Sequence, residues 1–189
     1  MKKKVFITGS AGFIGFHLSK YLLDKRINVH GYDSMNNYYD VKLKKSRLSI
    51  LKKYKNFSFT KANIENLEKL RNTILKFRPK IIIHLAAQAG VRFSIKKPDL
   101  YINSNIIGTF NIIKVSKIIK IKHLIIGSSS SVYGSNKKIP FQTSGEAQER
   151  VGRATNPAMA AELLGPRGNG HCNAHCGRGV YASILAMPA

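Results

Sequence analysis

The sequence predicts an α/β protein built on a doubly wound parallel sheet. Three observations carry that expectation. Five short apolar runs rich in β-branched residues alternate with segments of helical periodicity. A glycine-rich turn joins the first run to the first helical segment. The 189 residues, 43% hydrophobic and 22% charged, suffice for one domain with a sizeable core and exclude a disordered chain, a collagen-like repeat or a disulfide scaffold.

Each element follows from its own residues. Residues 4–8 (Lys-Val-Phe-Ile-Thr) form a β-branched and aromatic run that ends at a glycine, as a buried parallel strand does. From Phe13 to Lys25, apolar residues at 14, 18, 21 and 22 face away from Lys and Asp, which is amphipathic helix spacing. Residues 28–32 predict a second strand closed by Asp33, and 41–54 a Lys- and Leu-rich helix. Residues 56–61 predict a third strand, and 67–77 a helix stopped before Pro79. Residues 80–85 (Lys-Ile-Ile-Ile-His-Leu) predict a fourth strand, 99–120 a long helical region, and 123–127 a fifth strand followed by serines. Strand–helix alternation of this kind requires right-handed crossovers. Beyond Phe141 only a weak helix around 158–164 is expected.

The composition breaks sharply near Gln142. Residues 1–141 hold 23 Lys, 21 Ile and all 9 Phe; residues 142–189 hold no Lys, one Ile, nine Ala, seven Gly and both Cys. The net charge divides as +22 and +1. Residues 1–141 are therefore expected to be one domain. Residues 142–189 are expected to be an irregular tail of foreign origin, through a frameshift, fusion or assembly artefact.

A net charge of +23 points to an acidic partner such as nucleic acid, a membrane surface or a phosphorylated ligand. No zinc finger, helix-turn-helix or RNA-recognition pattern accompanies it, so no nucleic-acid partner is expected. No stretch reaches the roughly 18 consecutive apolar residues of a membrane span. The lysines at positions 2–4 and the apolar stretch after them mimic a signal peptide, but three glycines interrupt it and no cleavage site follows. A cytoplasmic protein without a membrane partner is expected. The tail segment His171-Cys172-Asn173-Ala174-His175-Cys176 offers thiols and imidazoles, but their spacing is cramped for a four-ligand zinc site, so no metal is expected.

Four motifs carry chemistry. Gly9-Ser10-Ala11-Gly12-Phe13-Ile14-Gly15 lies between the first strand and helix, where a dinucleotide site belongs. The first two glycines let the backbone turn and approach a pyrophosphate, and the third permits tight helix–strand packing. Asp33, 24 residues after Gly9, can accept hydrogen bonds from ribose hydroxyls and would repel a 2′-phosphate, favouring NAD over NADP. In His84-Leu85-Ala86-Ala87-Gln88-Ala89-Gly90 the small residues allow a cofactor to lie across the sheet edge; His84 itself reads as a satisfied core histidine. Ser128-Ser129-Ser130-Ser131 sits beyond the fifth strand, on the side where open α/β sheets bind ligands.

Together these residues resemble the extended short-chain dehydrogenase/reductase superfamily, and within it the NAD-dependent UDP-glucuronate 4-epimerase group. The matching stretches are 7–18, Asp33 to Asp40, His84 to Ser94 and Gly127 to Phe141, so the resemblance spans residues 1–141. It implies a Rossmann sheet truncated after about five strands and a homodimer in intact members. The implied substrate is a UDP-linked uronic acid, epimerised by removing hydride from sugar C4 and returning it to the opposite face. It also implies cofactor contacts at Gly9, Gly12, Phe13, Ile14, Gly15, Asp33, Asn36, Asn63, Ile64, Leu85, Ala86, Ala87, Ala89 and Asn105. Arg92, Ser128, Ser129 and Ser130 are the implied substrate contacts, with Ser129 and Ser130 at the reacting 4-oxygen. The family's catalytic Tyr-x-x-x-Lys, expected beyond Tyr133, is missing: the last lysine is Lys138, and no lysine follows Tyr181. The chain is therefore expected to be a catalytically incomplete fragment with a bare sheet edge beside its fifth strand.

Overall fold

Val5, Phe6 and Ile7 begin the core: Val5 and Ile7 turn to one face of the sheet and Phe6 to the other, as the two-residue period of a strand demands. The computed structural model describes residues 3–129 and 181–187. Its elements are β1 (Lys4–Thr8), α1 (Phe13–Asp24), β2 (Asn28–Asp33), α2 (Val41–Leu51), β3 (Phe57–Lys61), α3 (Leu67–Phe77), β4 (Ile81–His84), α4 (Val91–Lys96) and α5 (Pro98–Tyr101). A π-helical segment (Ile102–Ile107), α6 (Gly108–Ile118), β5 (His123–Ser129) and β6 (Tyr181–Met187) complete the order.

The sheet order is β3-β2-β1-β4-β5-β6. Parallel pairing places Val5 opposite Val29 on β2 and Ile81 on β4. One core joins Val5, Ile7, Val29 and Ile83 to Phe16 and Leu23 of α1 and Leu51 of α2. The other joins Phe6, Tyr32 and Ile82 to Leu70 and Ile74 of α3 and Ile112 and Val115 of α6. Both faces of the sheet are thus covered, which makes the fold a doubly wound Rossmann α/β sheet. Each fully buried Leu, Ile or Phe contributes about 1.5–3 kcal/mol, so two cores of this size hold the strand ends firmly in place.

The helix ends follow local chemistry. Asp40 caps α2 by accepting the Lys42 amide, and Asn66 caps α3 by accepting the Lys69 amide. α3 closes at Arg78 in the left-handed region, just before Pro79. Among the described residues, 3–126 and 181–183 belong to one compact unit.

Three expectations change. β5 runs to Ser129, so Ser128 and Ser129 belong to a strand rather than to the loop after it. The helical region starts earlier than 99 and is interrupted: Lys97, kept out of the helical region before Pro98, separates α4 from α5. The stretch 181–187, expected to be irregular, is a strand that follows β5 in the sheet order, so the bare edge is not there. The weak helix expected around 158–164 lies outside the described residues.

Candidate functional site

The glycine turn is shaped by what surrounds it. Gly9 adopts φ +70°, and a Cβ there would lie 2.9 Å from the backbone of Leu85 and Ala86. A Cβ on Gly15 would overlap the Gly9 carbonyl, so α1 docks on β1 only because residue 15 lacks one. At Gly12 the nearest atom to a Cβ would be the Gly9 oxygen at 3.1 Å, with no other described neighbour within 4 Å, so its outer side is open. The turn is closed by hydrogen bonds from the Gly9 amide to the Tyr32 carbonyl (2.8 Å) and from the Gly12 amide to the Gly9 carbonyl (3.0 Å). No side chain caps α1 at Gly12, and its first turn carries no acid. The amides and partial positive charge at that end face outward, where an anion would be stabilised. Phe13 and Ile14 beside them are exposed.

Asp33 is buried at the end of β2. Its carboxylate accepts the Ala11 amide (3.1 Å) and the Met35 amide (2.8 Å), tying the glycine turn to β2. Carboxylate oxygens have about four acceptor positions, so two remain for hydroxyl groups. Asn36 is exposed; its backbone and side-chain oxygens accept from the buried Lys44 ammonium (3.1 and 2.8 Å), which fixes the loop after Asp33. Asn63 is exposed, and its carbonyl accepts from the Tyr32 hydroxyl at 3.1 Å. Burial, helped by the charge of Glu65, pushes that hydroxyl up to about 12, so it stays protonated and donating. Ile64 turns its side chain into the core, against Gly108 of α6.

The end of β4 is a closed neutral network. Thr8 Oγ1 accepts the amides of Leu85 (3.0 Å) and Ala86 (3.1 Å), so its own hydrogen goes to His84 Nδ1 at 2.7 Å. His84 Nε2–H then donates to Thr109 at 3.0 Å. Burial drives the imidazole down to about 4, so His84 is neutral and fully used, as expected of a core histidine. Leu85 and Ala86 are half-buried, whereas Ala87 and Ala89 are exposed. Asn105 clasps Gln88, accepting its amide (2.7 Å) and donating to its carbonyl (3.0 Å). Asn105 lies in the π-helical segment, a feature frequent at functional sites.

The motifs 33–40 and 84–94 also meet through aromatic rings. The Tyr38 ring lies 5.0 Å from that of Phe93, and its hydroxyl sits where a Cβ on Gly90 would fall. The Tyr101 hydroxyl donates to the Ala89 carbonyl at 2.6 Å. Arg92 in α4 is exposed and forms no hydrogen bond or ion pair with a described residue. Ser128 is half-buried on β5, Ser129 ends that strand, and Ser130 lies outside the described residues. The His171–Cys176 segment lies outside them too, and no cluster of three metal-ligating side chains occurs among the described residues.

Sequence reasoning missed two roles here. Thr8 organises the β4 end, and Arg47 of α2 donates to the Ala11 carbonyl at 3.4 Å. Thr8 lies in the stretch 7–18 but its spacing does not show its link to the β4 end, and an arginine on a cationic helix carries no motif, so only tertiary structure reveals these roles.

With this geometry in place, comparison with known proteins is direct. Residues 6–153 match the family model described as GDP-mannose 4,6 dehydratase. The chain belongs to this family. Its members are epimerases and dehydratases of the short-chain dehydrogenase/reductase type. A probable UDP-glucuronate 4-epimerase of Rhizobium meliloti is 44% identical over 161 residues, covering 85% of this chain and 47% of that protein. Protein CapI of Staphylococcus aureus is 49% identical over 141 residues, covering 75% and 42%. The Bacillus cereus UDP-glucuronic acid 4-epimerase, solved with UDP-glucuronic acid and NAD, superposes with a TM-score of 0.72 at 28% identity, covering 97% of this chain and 55% of that one. The chain spans about half the length of the curated relatives it matches. No helix among the described residues is long and apolar enough to cross a membrane.

Proposed function

We propose that residues 1–141 are the NAD-binding part of a nucleotide-sugar 4-epimerase of the UDP-glucuronate/UDP-galacturonate type, and that the 189-residue chain does not itself catalyse the reaction. The observation that carries this reading is the bond from the Ala11 amide to the Asp33 carboxylate, which sets a buried acid beside an open glycine turn. The residues fit a dinucleotide: an uncapped helix end for phosphates, an acid with free acceptor positions for ribose hydroxyls, and small side chains at Ala86 and Ala87. When bound, NAD supplies the acceptor that takes hydride from sugar C4 and gives it back. Gly9 and Gly12 admit the phosphates, Gly15 lets α1 dock beside them, and Phe13 and Ile14 flank them. Asp33 and Asn36 hold the ribose, Asn63 and Ile64 border the adenine, and Leu85, Ala89 and Asn105 shape the nicotinamide side. Ser128, Ser129 and Ser130 hydrogen-bond the sugar, with Ser129 donating to the 4-oxygen as charge develops. Arg92 pairs with the uronate carboxylate, its guanidinium being unengaged among the described residues.

No residue takes the base role, because Tyr-x-x-x-Lys is absent. Residues 142–189 are read as foreign to this frame on their composition. Finding that motif in another frame beyond codon 141 would support this; one uninterrupted, correctly assembled frame would count against it. The name of the matching family model favours a 4,6-dehydratase as second reading. Dehydratases of this resemblance carry an Asp-Glu pair before the valine-tyrosine-glycine, where this chain has Ser130 and Ser131, so elimination lacks its acid. We place the protein in the cytoplasm, with a UDP-sugar as partner and neither nucleic acid nor membrane. The exposed apolar side chains of Ile102, Ile106 and Ile118 support a homodimer in the intact protein.

Calorimetry on the 189-residue chain tests the core of this proposal. NAD and ADP-ribose are expected to bind, and Asp33→Asn to weaken both about tenfold. No binding of either overturns the cofactor role; turnover of UDP-glucuronate to UDP-galacturonate overturns the inactivity.

A further inference from the structure

Arg47 lies on α2, outside every stretch that carries the family resemblance, yet its side chain reaches the glycine turn. Its guanidinium donates to the Ala11 carbonyl at 3.4 Å and stands 5.7 Å from the centre of the Phe13 ring. The buried residue Ala11 is thereby gripped from both sides: Asp33 takes its N–H and Arg47 its C=O. Arg47 forms no ion pair among the described residues and is only half-buried. A guanidinium has five donors in a rigid fork, and one long hydrogen bond to a neutral carbonyl leaves most of that capacity unspent. The uncapped end of α1, with Phe13 as its first residue, lies beside the same group. Two sources of positive potential, a helix end and a fixed cation, therefore converge on one turn whose outer side is open at Gly12.

We infer that Arg47 is a second anion-reading group of the dinucleotide site, holding the Ala11 peptide and contributing its remaining donors to the diphosphate. This deepens the proposed NAD site and rests on that reading. The charge serves two purposes. It orders the turn by clamping Ala11 against the pull of Asp33, and it balances the negative charge of a diphosphate beside the uncapped end of α1. A lysine would keep the charge but lose the fork, whereas glutamine would keep a donor for the Ala11 carbonyl but lose the charge.

The test is calorimetry of the full chain with ADP-ribose and with adenosine, for the wild type, Arg47→Lys and Arg47→Gln, each shown by thermal denaturation to be folded. Arg47→Gln is expected to weaken ADP-ribose about tenfold while leaving adenosine unchanged, and Arg47→Lys to restore most of the loss. Arg47→Gln binding ADP-ribose like the wild type would reduce Arg47 to a loop clamp and overturn the inference. Equal loss for ADP-ribose and adenosine would overturn it too, since a deformed turn affects both. A wild type that binds neither ligand sinks the NAD site itself, whereas normal wild-type binding with an indifferent Arg47 sinks only this residue's role.

Discussion

Asp33 and His84 end the two strands that flank β1, and both are buried, yet the fold holds them in opposite ways. Asp33 spends its carboxylate oxygens on two backbone amides, leaving acceptor capacity beside an open turn. His84 gives up its charge and closes both ring nitrogens on threonine hydroxyls. One strand end keeps acceptor capacity and the other is closed into the core. The contrast shows that a polar residue at a strand's carboxyl end is diagnostic only with its partners: unspent capacity marks a site, and full satisfaction marks structure.

The largest effect is expected at the glycine turn after β1, the strand between those two ends. Gly15→Ala would drive a methyl into the Gly9 carbonyl, 2.8 Å from its carbon, with rigid backbone on both sides. A loss of about 3 kcal/mol or failure to fold is expected, read from the denaturation midpoint. A midpoint near the wild type would mean that α1 can move away from β1.

On the neutral side, pH gives the sharper break. His84 and His30 are both held near 4 by burial, below their ordinary 6.5. A depressed folded-state value means that the unfolded chain binds the proton first. Their stabilisation is therefore complete above about pH 6.5 and lost as pH falls towards 4. Between pH 7 and 5 each histidine should cost about 2 kcal/mol. His84→Gln should lower stability at pH 7 and remove roughly half of that pH-dependent loss, leaving the share of His30. An unchanged pH profile would break the contrast, because His84 would then not be the neutral member.

The smallest effect concerns Ser10. Its hydroxyl is buried under the glycine turn without a partner among the described residues, pressed near Gly31. Ser10→Ala should be neutral or stabilising by up to about 1 kcal/mol, because an unmet hydrogen-bonding group is removed with little change of shape. A clear destabilisation would reveal a partner for that hydroxyl.

Most of the sheet was legible because buried parallel strands read as continuous apolar runs; Val5 to Ile7 and Ile81 to Ile83 could be little else. Leu67 to Phe77 was placed to the residue, since Asn66 and Pro79 bracket it. The helix Val91–Lys96 was not legible, because six residues are too few for a periodicity to show. The strand at 181–187 was hidden by composition: an alanine- and glycine-rich tail masked an apolar run from Val180 to Met187 that fits a strand. In the candidate site, spacing alone singles out Gly9, Gly12 and Asp33 as candidates. It does not show the couplings: the link from Thr8 to His84 spans 76 positions and that from Arg47 to Ala11 spans 36, distances that no local pattern encodes.

The π-helical segment at Ile102–Ile107 has a consequence for how this region tolerates change. Each π-type ring closes on one residue more than an α-helical ring, so the segment stores a residue without lengthening the path between α5 and α6. Polar groups within and after it answer to different masters: Asn105 serves the loop at Gln88, whereas Thr109 and Asn111 serve His84 and the carbonyls of Ile64 and Glu65. Stored slack lets those two allegiances be set independently, like a gear with one tooth to spare. Removing a residue there would force a choice between holding the loop at Gln88 and holding the core.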